Sequence, residues 1–235
     1  MNECMDNLSL NEMVRRLRGV GDIAWGRYAF SHDLLRGRVP FAKQDEMTLN
    51  AAACGIEWAR RMTERTGAAD PDSMREALGL TLTENDLDMT ENPRPLFAQF
   101  IPDNRIEIMC QPVRLYTGLY EREADRALLP RPEEVRALLL AHELFHHVEE
   151  LYKDEIYSRT VTIRLWKLFF IKWDSTVRAV GEIAAMSFAK ALTGAGFSPF
   201  LLDVLLLFGY NQEHARHVFK SILEISNAVA ANNER

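Results

Sequence analysis

"LLLAHELFHHVEELY", residues 138–152, sets three of the chain's six histidines inside an otherwise apolar run. Read as a helix, it places His142 and His146 one turn apart on one face with Glu143 beside them. This H-E-x-x-H spacing lets two neutral imidazoles converge on one zinc ion. The helix has an opening signal in Pro132 at its first position and Glu133 and Glu134 in its first turn, and is expected to run to about Lys153. Leu138, Leu139, Leu140, Leu144, Phe145 and Val148 surround the polar trio. Two histidines and a glutamate are costly to bury unpaired among such neighbours, which favours a metal site over a satisfied structural cluster.

Zinc hydrolysis needs three protein ligands, an open position for water and a carboxylate to take that water's proton. His142 and His146 are the first two ligands, and Glu143 is the expected general base, later the proton donor to a leaving amine. His147 points about 100° away from the ligand face and is expected at the surface or behind a ligand. Glu149 and Glu150 lie too far along the axis to join both histidines on one ion, and read as a solvated acidic end or as a carboxylate steadying a histidine. After His146 the chain continues "HVEELY", without the glycine and third histidine of the H-E-x-x-H-x-x-G-x-x-H pattern. A carboxylate from a later helix is therefore expected as third ligand. Glu182 in "VGEIAAMSFAKAL" is the best candidate, because Gly181, Ala184, Ala185 and Ala189 give its helix a face that another helix can approach closely. Asp174, His214 and His217 stand in reserve. A residue stabilising an oxyanion should accompany the site, and Tyr157, Tyr210, His214 and His217 are chemically able.

Outward from this helix the chain reads as helices interrupted once by a short β region, without internal repeats. A first helical stretch covers about 8–36, with Gly19, Gly21 and Gly26 as breaking points. A second runs from Asp45, as N-cap, to Thr66 before Gly67, with Leu49, Ala52, Ala53, Ile56 and Ala59 as its apolar face. A short helix in "DSMREALG" leads into a strand in "LTLT". In "LFAQFIPDNRIEIM" alternating runs flank Pro102, Asp103 and Asn104, the pattern of a hairpin, whose strand from Arg105 to Met109 could receive an extended substrate if its edge faces the metal. The stretch "YTGLYEREADR" has no defined element. Aromatic residues Trp166, Phe169, Phe170 and Trp173 recur at helical spacing, predicting a helix over 158–172 that is core or an interface between copies. Further helices are expected from Asp174 or Ser175 to Leu192, from Ser198 and Pro199, and from near Asn211. The fold class is mainly helical α+β with a small antiparallel sheet; residues 1–70 form a helical region packed on a second unit, 71–235.

The chain has 235 residues and a net charge of −6 with both signs intermixed. No basic stripe is available to neutralise phosphates, so nucleic acid is not an expected partner. Apolar runs fall short of the roughly 20 residues a membrane span needs. The opening "MNECMDNLSLNEM" lacks the basic and apolar regions of a signal peptide, and Cys4, Cys54 and Cys110 have no disulfide or thiolate-zinc spacing. A cytoplasmic setting is the resulting expectation.

"ALLLAHELFHHVE", followed 36 residues after His146 by "GEIAAMSFAKAL", resembles the ImmA/IrrE-type zinc metallopeptidases, a minimal gluzincin-like family linked to cleavage of repressors. Glu182, Ala185, Phe188 and Ala189 match the register of that family's second helix, and "REALGLTL" resembles its short helix, glycine and strand. The resemblance covers about residues 73–195. It implies a zincin-like core with additional helices at both ends, zinc held by His142, His146 and Glu182, Glu143 as base, and protein or peptide substrates. A zinc-binding regulatory or interaction module without hydrolysis is the alternative. A di-iron reading of "ELFH" is set aside because no second Glu-x-x-His exists.

Overall fold

The structure, a computed structural model, describes residues 8–88, 96–168 and 171–233. Cys4 lies outside them. Ser9 opens α1 (Leu10–Leu17) by accepting from the Glu12 N–H, and a break around Gly19 and Gly21 separates it from α2 (Asp22–Ser31). Gly26 is no breaking point. It is buried inside α2, where a Cβ would strike the side chain of Thr48.

Helix α3 (Phe41–Thr66) starts one turn earlier than the sequence indicates, behind Pro40, and ends at Gly67 with φ +71°. Asp45 lies inside the helix, and its carboxylate takes two hydrogen bonds from Arg27, each of 2.8 Å, instead of capping. The buried face also differs. Met47, Ala51, Gly55, Trp58 and Met62 point inward, while Leu49 and Ile56 are 59% and 55% exposed. Close approach to another helix backbone selects the face with glycine at its centre over the face with more aliphatic carbon.

Asp70 caps α4 (Pro71–Ala77), and Gly79 at φ +68° turns the chain into β1 (Thr81–Asn85). Strands β2 (Ala98–Ile101) and β3 (Arg105–Met109) form the expected hairpin. Asp103 and Asn104 adopt positive φ, which their short polar side chains tolerate. The strand order is β1-β3-β2 with β1 parallel to β3, so the sheet is mixed and not antiparallel throughout. Local alternation identifies a hairpin; it carries no information about which hairpin strand a distant segment joins.

Helix α5 (Cys110–Arg122) occupies much of the stretch where the sequence indicates no element. It is followed by α6 (Pro132–Leu151), where Glu134 accepts the Arg131 N–H at 2.8 Å as in half a capping box. The helix expected over 158–172 is not formed. A four-residue helix α7 (Tyr157–Thr160) leads into an antiparallel hairpin of β4 (Thr162–Leu168) and β5 (Ile171–Thr176). Aromatic and β-branched residues such as Thr162, Ile163, Ile171 and Thr176 fit a pleated pair better than a helix. The expected packing role of Trp166, Phe169, Phe170 and Trp173 concerns side chains outside the described residues.

Because β5 runs through Asp174 and Ser175, the next helix, α8 (Arg178–Thr193), starts later than expected. It carries no side-chain cap of its own. Asp33, buried beyond the end of α2, accepts the Ala179 N–H at 2.8 Å and caps α8 across 146 residues of sequence, a contact worth about 1 kcal/mol. Helices α9 (Leu201–Tyr210) and α10 (Gln212–Asn233) complete the chain. One apolar core runs from Leu10 to Ile222, and within it α3 and α8 are the most extensively packed pair. Among the described residues no helix is long and apolar enough to cross a membrane.

Candidate metal centre

Helix α6 buries its apolar residues on both sides of a strip that faces α8 and β2. The helical period brings His142 and His146 into that strip, with their Nε2 atoms 3.1 Å apart. Glu182, in the second turn of α8, brings Oε2 to 3.4 Å from His142 Nε2. The three donor atoms lie within 4.8 Å of one another. Donors around a tetrahedral zinc at about 2.0–2.1 Å stand roughly 3.3 Å apart, so the two measured separations suit that geometry, and two imidazoles with one carboxylate suit its chemistry.

Charge supports the same assignment. Burial, the largest influence on His142, would lower its pKa, but the Glu182 and Glu143 carboxylates outweigh it and raise the imidazole to about 9. Burial likewise opposes ionisation of Glu182, yet His142, His146 and Arg178 together pull it down to about 2. The carboxylates therefore favour a positive charge between these side chains. The Nδ1 atom of His142 is buried and has no hydrogen-bond partner among the described residues.

His146 is steadied from behind. Glu149, only 6% exposed, has Oε2 at 3.6 Å from His146 Nδ1 and 3.3 Å from Arg159 Nε. Gly181 makes room for it, since a Cβ there would sit 3.1 Å from Glu149 Oε1. The small face of α8 thus does two jobs, admitting this carboxylate on the α6 side and the Gly55 backbone on the α3 side. Carboxylates behind ligating histidines set ring orientation, and their loss weakens metal binding about 10- to 100-fold. Glu149→Gln, which keeps the shape, is expected to weaken zinc binding by that factor in competition with a chromophoric chelator. Unchanged affinity would show that packing alone orients His146.

Glu143 stays out of the donor trio. It is 7% exposed, and its Oε2 accepts the backbone N–H of Phe100 at 2.6 Å. Phe97 O accepts from Met109 N–H at 2.9 Å, so residues 97, 99 and 101 turn their peptide groups toward β3, and Ala98 and Phe100 turn theirs outward. Strand β3 is central, paired on both sides, and cannot accept another strand as the sequence reading supposed. Instead β2 is, with β1, an edge strand of this sheet among the described residues. It lines a cleft of about 900 Å³ together with His142, Glu143, His146 and Glu182.

His147 is not at the surface. It is buried edge-on against the Phe100 ring, 5.4 Å between centroids, and burial lowers its pKa and keeps it neutral. Tyr157, Tyr210, His214 and His217 are not among the residues lining the cleft; Tyr210 instead donates to Gln111 on α5 at 3.0 Å. Asp174 belongs to β5, and its side chain lies outside the described residues. The cleft residues that the sequence did not single out are Ser158, Arg159, Arg178, Asp203 and the Phe100 N–H. None carries a spacing signal, because together they reach the cleft from four different elements, Ser158 and Arg159 from α7 and the others from α8, α9 and β2. No family model, curated protein or solved structure matches the chain.

Proposed function

We propose that this chain is a zinc-dependent metallopeptidase with a zincin-like core of the ImmA/IrrE type, acting in the cytoplasm on a limited set of protein substrates, alone or as a homo-oligomer, with neither nucleic acid nor membrane as a partner. The observation that carries the proposal is the division of labour around His142: three donor atoms converge while the neighbouring carboxylate, Glu143, is held apart from them at the free edge of a strand. A purely structural zinc site closes its coordination with four protein ligands, and here three converge beside an open cleft.

In the proposed reaction an extended peptide pairs with the outward N–H and C=O of Ala98 and with the C=O of Phe100, and so lays its backbone along the cleft. Zinc, held by His142, His146 and Glu182, would polarise the scissile carbonyl and acidify a water. Glu143 accepts the proton of that water and returns it to the departing amine nitrogen. The Phe100 N–H fixes the Glu143 carboxylate in place, and Arg178, 3.3 Å from Glu182 Oε1, balances the charge of the third ligand.

The first test is metal content by elemental mass spectrometry, beside a Glu182→Ala variant prepared identically, followed by assay of the zinc-loaded chain on unfolded protein. One zinc per chain, lost or much weakened in the variant, and hydrolysis stopped by a chelator are the expected results. Zinc must displace the proton from His142, so apparent affinity should fall as pH drops below about 9, by up to about tenfold per unit. No binding in the parent would end the proposal, and zinc without hydrolysis would leave a regulatory zinc module.

A further inference from the structure

We infer that the part of the cleft lined by Asp203 is a side-chain pocket selecting a lysine or arginine of the bound peptide, an assignment that rests on the function proposed above for the nature of its ligand. Helices α6 and α8 run antiparallel, with Glu149 beside Gly181 near one end and Phe145 on Phe188 farther along, 5.6 Å between ring centroids. Leu138 and Leu139 therefore lie one turn beyond His142 in the direction in which Met186 lies one turn beyond Glu182. These three, with Pro199 and Leu202, line the cleft where Asp203 also faces it.

Asp203 is out of place on its own helix. Its neighbours Leu201, Leu202, Val204, Leu205, Leu206 and Leu207 are all buried, and Asp203 itself is half-buried, where a carboxylate is costly to desolvate without a counter-charge. Among the described residues it accepts one hydrogen bond, from the Tyr28 hydroxyl at 3.0 Å, although an ionised carboxylate has about four acceptor sites. Among the described residues no lysine or arginine pairs with it. The cations elsewhere in the cleft are already engaged, Arg159 by Glu149 and Glu150 and Arg178 by Glu182. Burial, the largest influence, and the Glu182 carboxylate push Asp203 up to about 6, outweighing the Tyr28 hydroxyl, His32 and His142. A lysine or arginine side chain answers both halves of this environment, an aliphatic stem for Leu139, Met186 and Leu202 and a cationic head for the carboxylate.

The test uses the full chain loaded with zinc, in a Glu143→Gln background that prevents turnover. Its probes are fluorescent hexapeptide mixtures in which lysine, arginine, norleucine or glutamate is fixed at one position at a time. Fluorescence anisotropy should find one position at which lysine or arginine binds about 10- to 100-fold more tightly than norleucine, the gain of a charge-assisted hydrogen bond. Asp203→Asn retains an acceptor for Tyr28 and removes the charge. It should abolish that preference, so that lysine and arginine bind no more tightly than norleucine. The pocket is refuted if no position prefers a basic residue, if no peptide binds, or if the preference survives in Asp203→Asn, including where that variant merely loses zinc. Separate assay of the chain with Glu143 intact distinguishes the two readings. A basic preference without hydrolysis keeps the pocket and removes the peptidase, whereas hydrolysis indifferent to basic residues removes only the pocket.

Discussion

Glu143→Gln is expected to lower peptide hydrolysis by at least about 10²–10⁴-fold, the contribution of a positioned general base, while leaving zinc content at the parental value. The amide is nearly isosteric, and its oxygen can still accept the Phe100 N–H that Glu143 accepts at 2.6 Å. The strand edge and the cleft therefore keep their shape. What changes is the ability to take a proton. Metal binding is spared because the converging donors belong to His142, His146 and Glu182. Steady-state kinetics on a cleaved peptide, run beside elemental analysis of the same samples, separates the effects. Activity retained in the variant would remove Glu143 as base, and zinc lost with activity would place it among the ligands.

Gly55→Ala is expected to destabilise the fold by about 3 kcal/mol, at the upper end of the usual range for overpacking, although alanine is the better helix former by about 1 kcal/mol. A Cβ at position 55 would run into the carbonyl oxygen of Ala184 and stand 2.8 Å from the backbone nitrogen of Phe188. Both obstacles are backbone atoms of α8 and cannot rotate aside, so α3 and α8 must separate. For a chain of this length the loss corresponds to a fall in melting temperature of about 6–12 °C, measurable by calorimetry of the chelated protein. The same separation would move Glu182 away from His142, so zinc affinity should fall along with stability. A melting temperature equal to or above the parent's would mean that the helices meet less closely at this point than the structure shows.

Legibility in the sequence followed the range of the interactions involved. The run of residues 138–152 declares its helix and the facing of His142, His146 and Glu143 because a 3.6-residue period and an N-terminal proline act within a few turns. Glu182 was nameable for a related reason: the small residues around it imply a close helix contact, and Gly181 and Ala184 do lie against α6 and α3. Where two local signals competed, the reading failed. Aromatic spacing over 158–172 suits a helix, but β-branched residues at Thr162, Ile163, Ile171 and Thr176 and the pairing of the two halves produce a hairpin. The apolar face of α3 was misplaced because hydrophobicity was weighed and shape was not; Gly55, with no side chain to count, decides which side packs.

The amino-acid sequence by itself determined the helix that carries the histidines, the β2–β3 hairpin and the caps at Gly67 and Gly79, and it favoured Glu182 over Asp174, His214 and His217 as a third donor. Only the tertiary structure decided that β1 runs parallel to β3, that β2 is the edge facing the cleft, that Asp33 caps α8, and that Asp203 lines the cleft. Every contact of the second group joins segments far apart in the chain. Their geometry depends on how several elements pack together, and no periodicity within one segment encodes that.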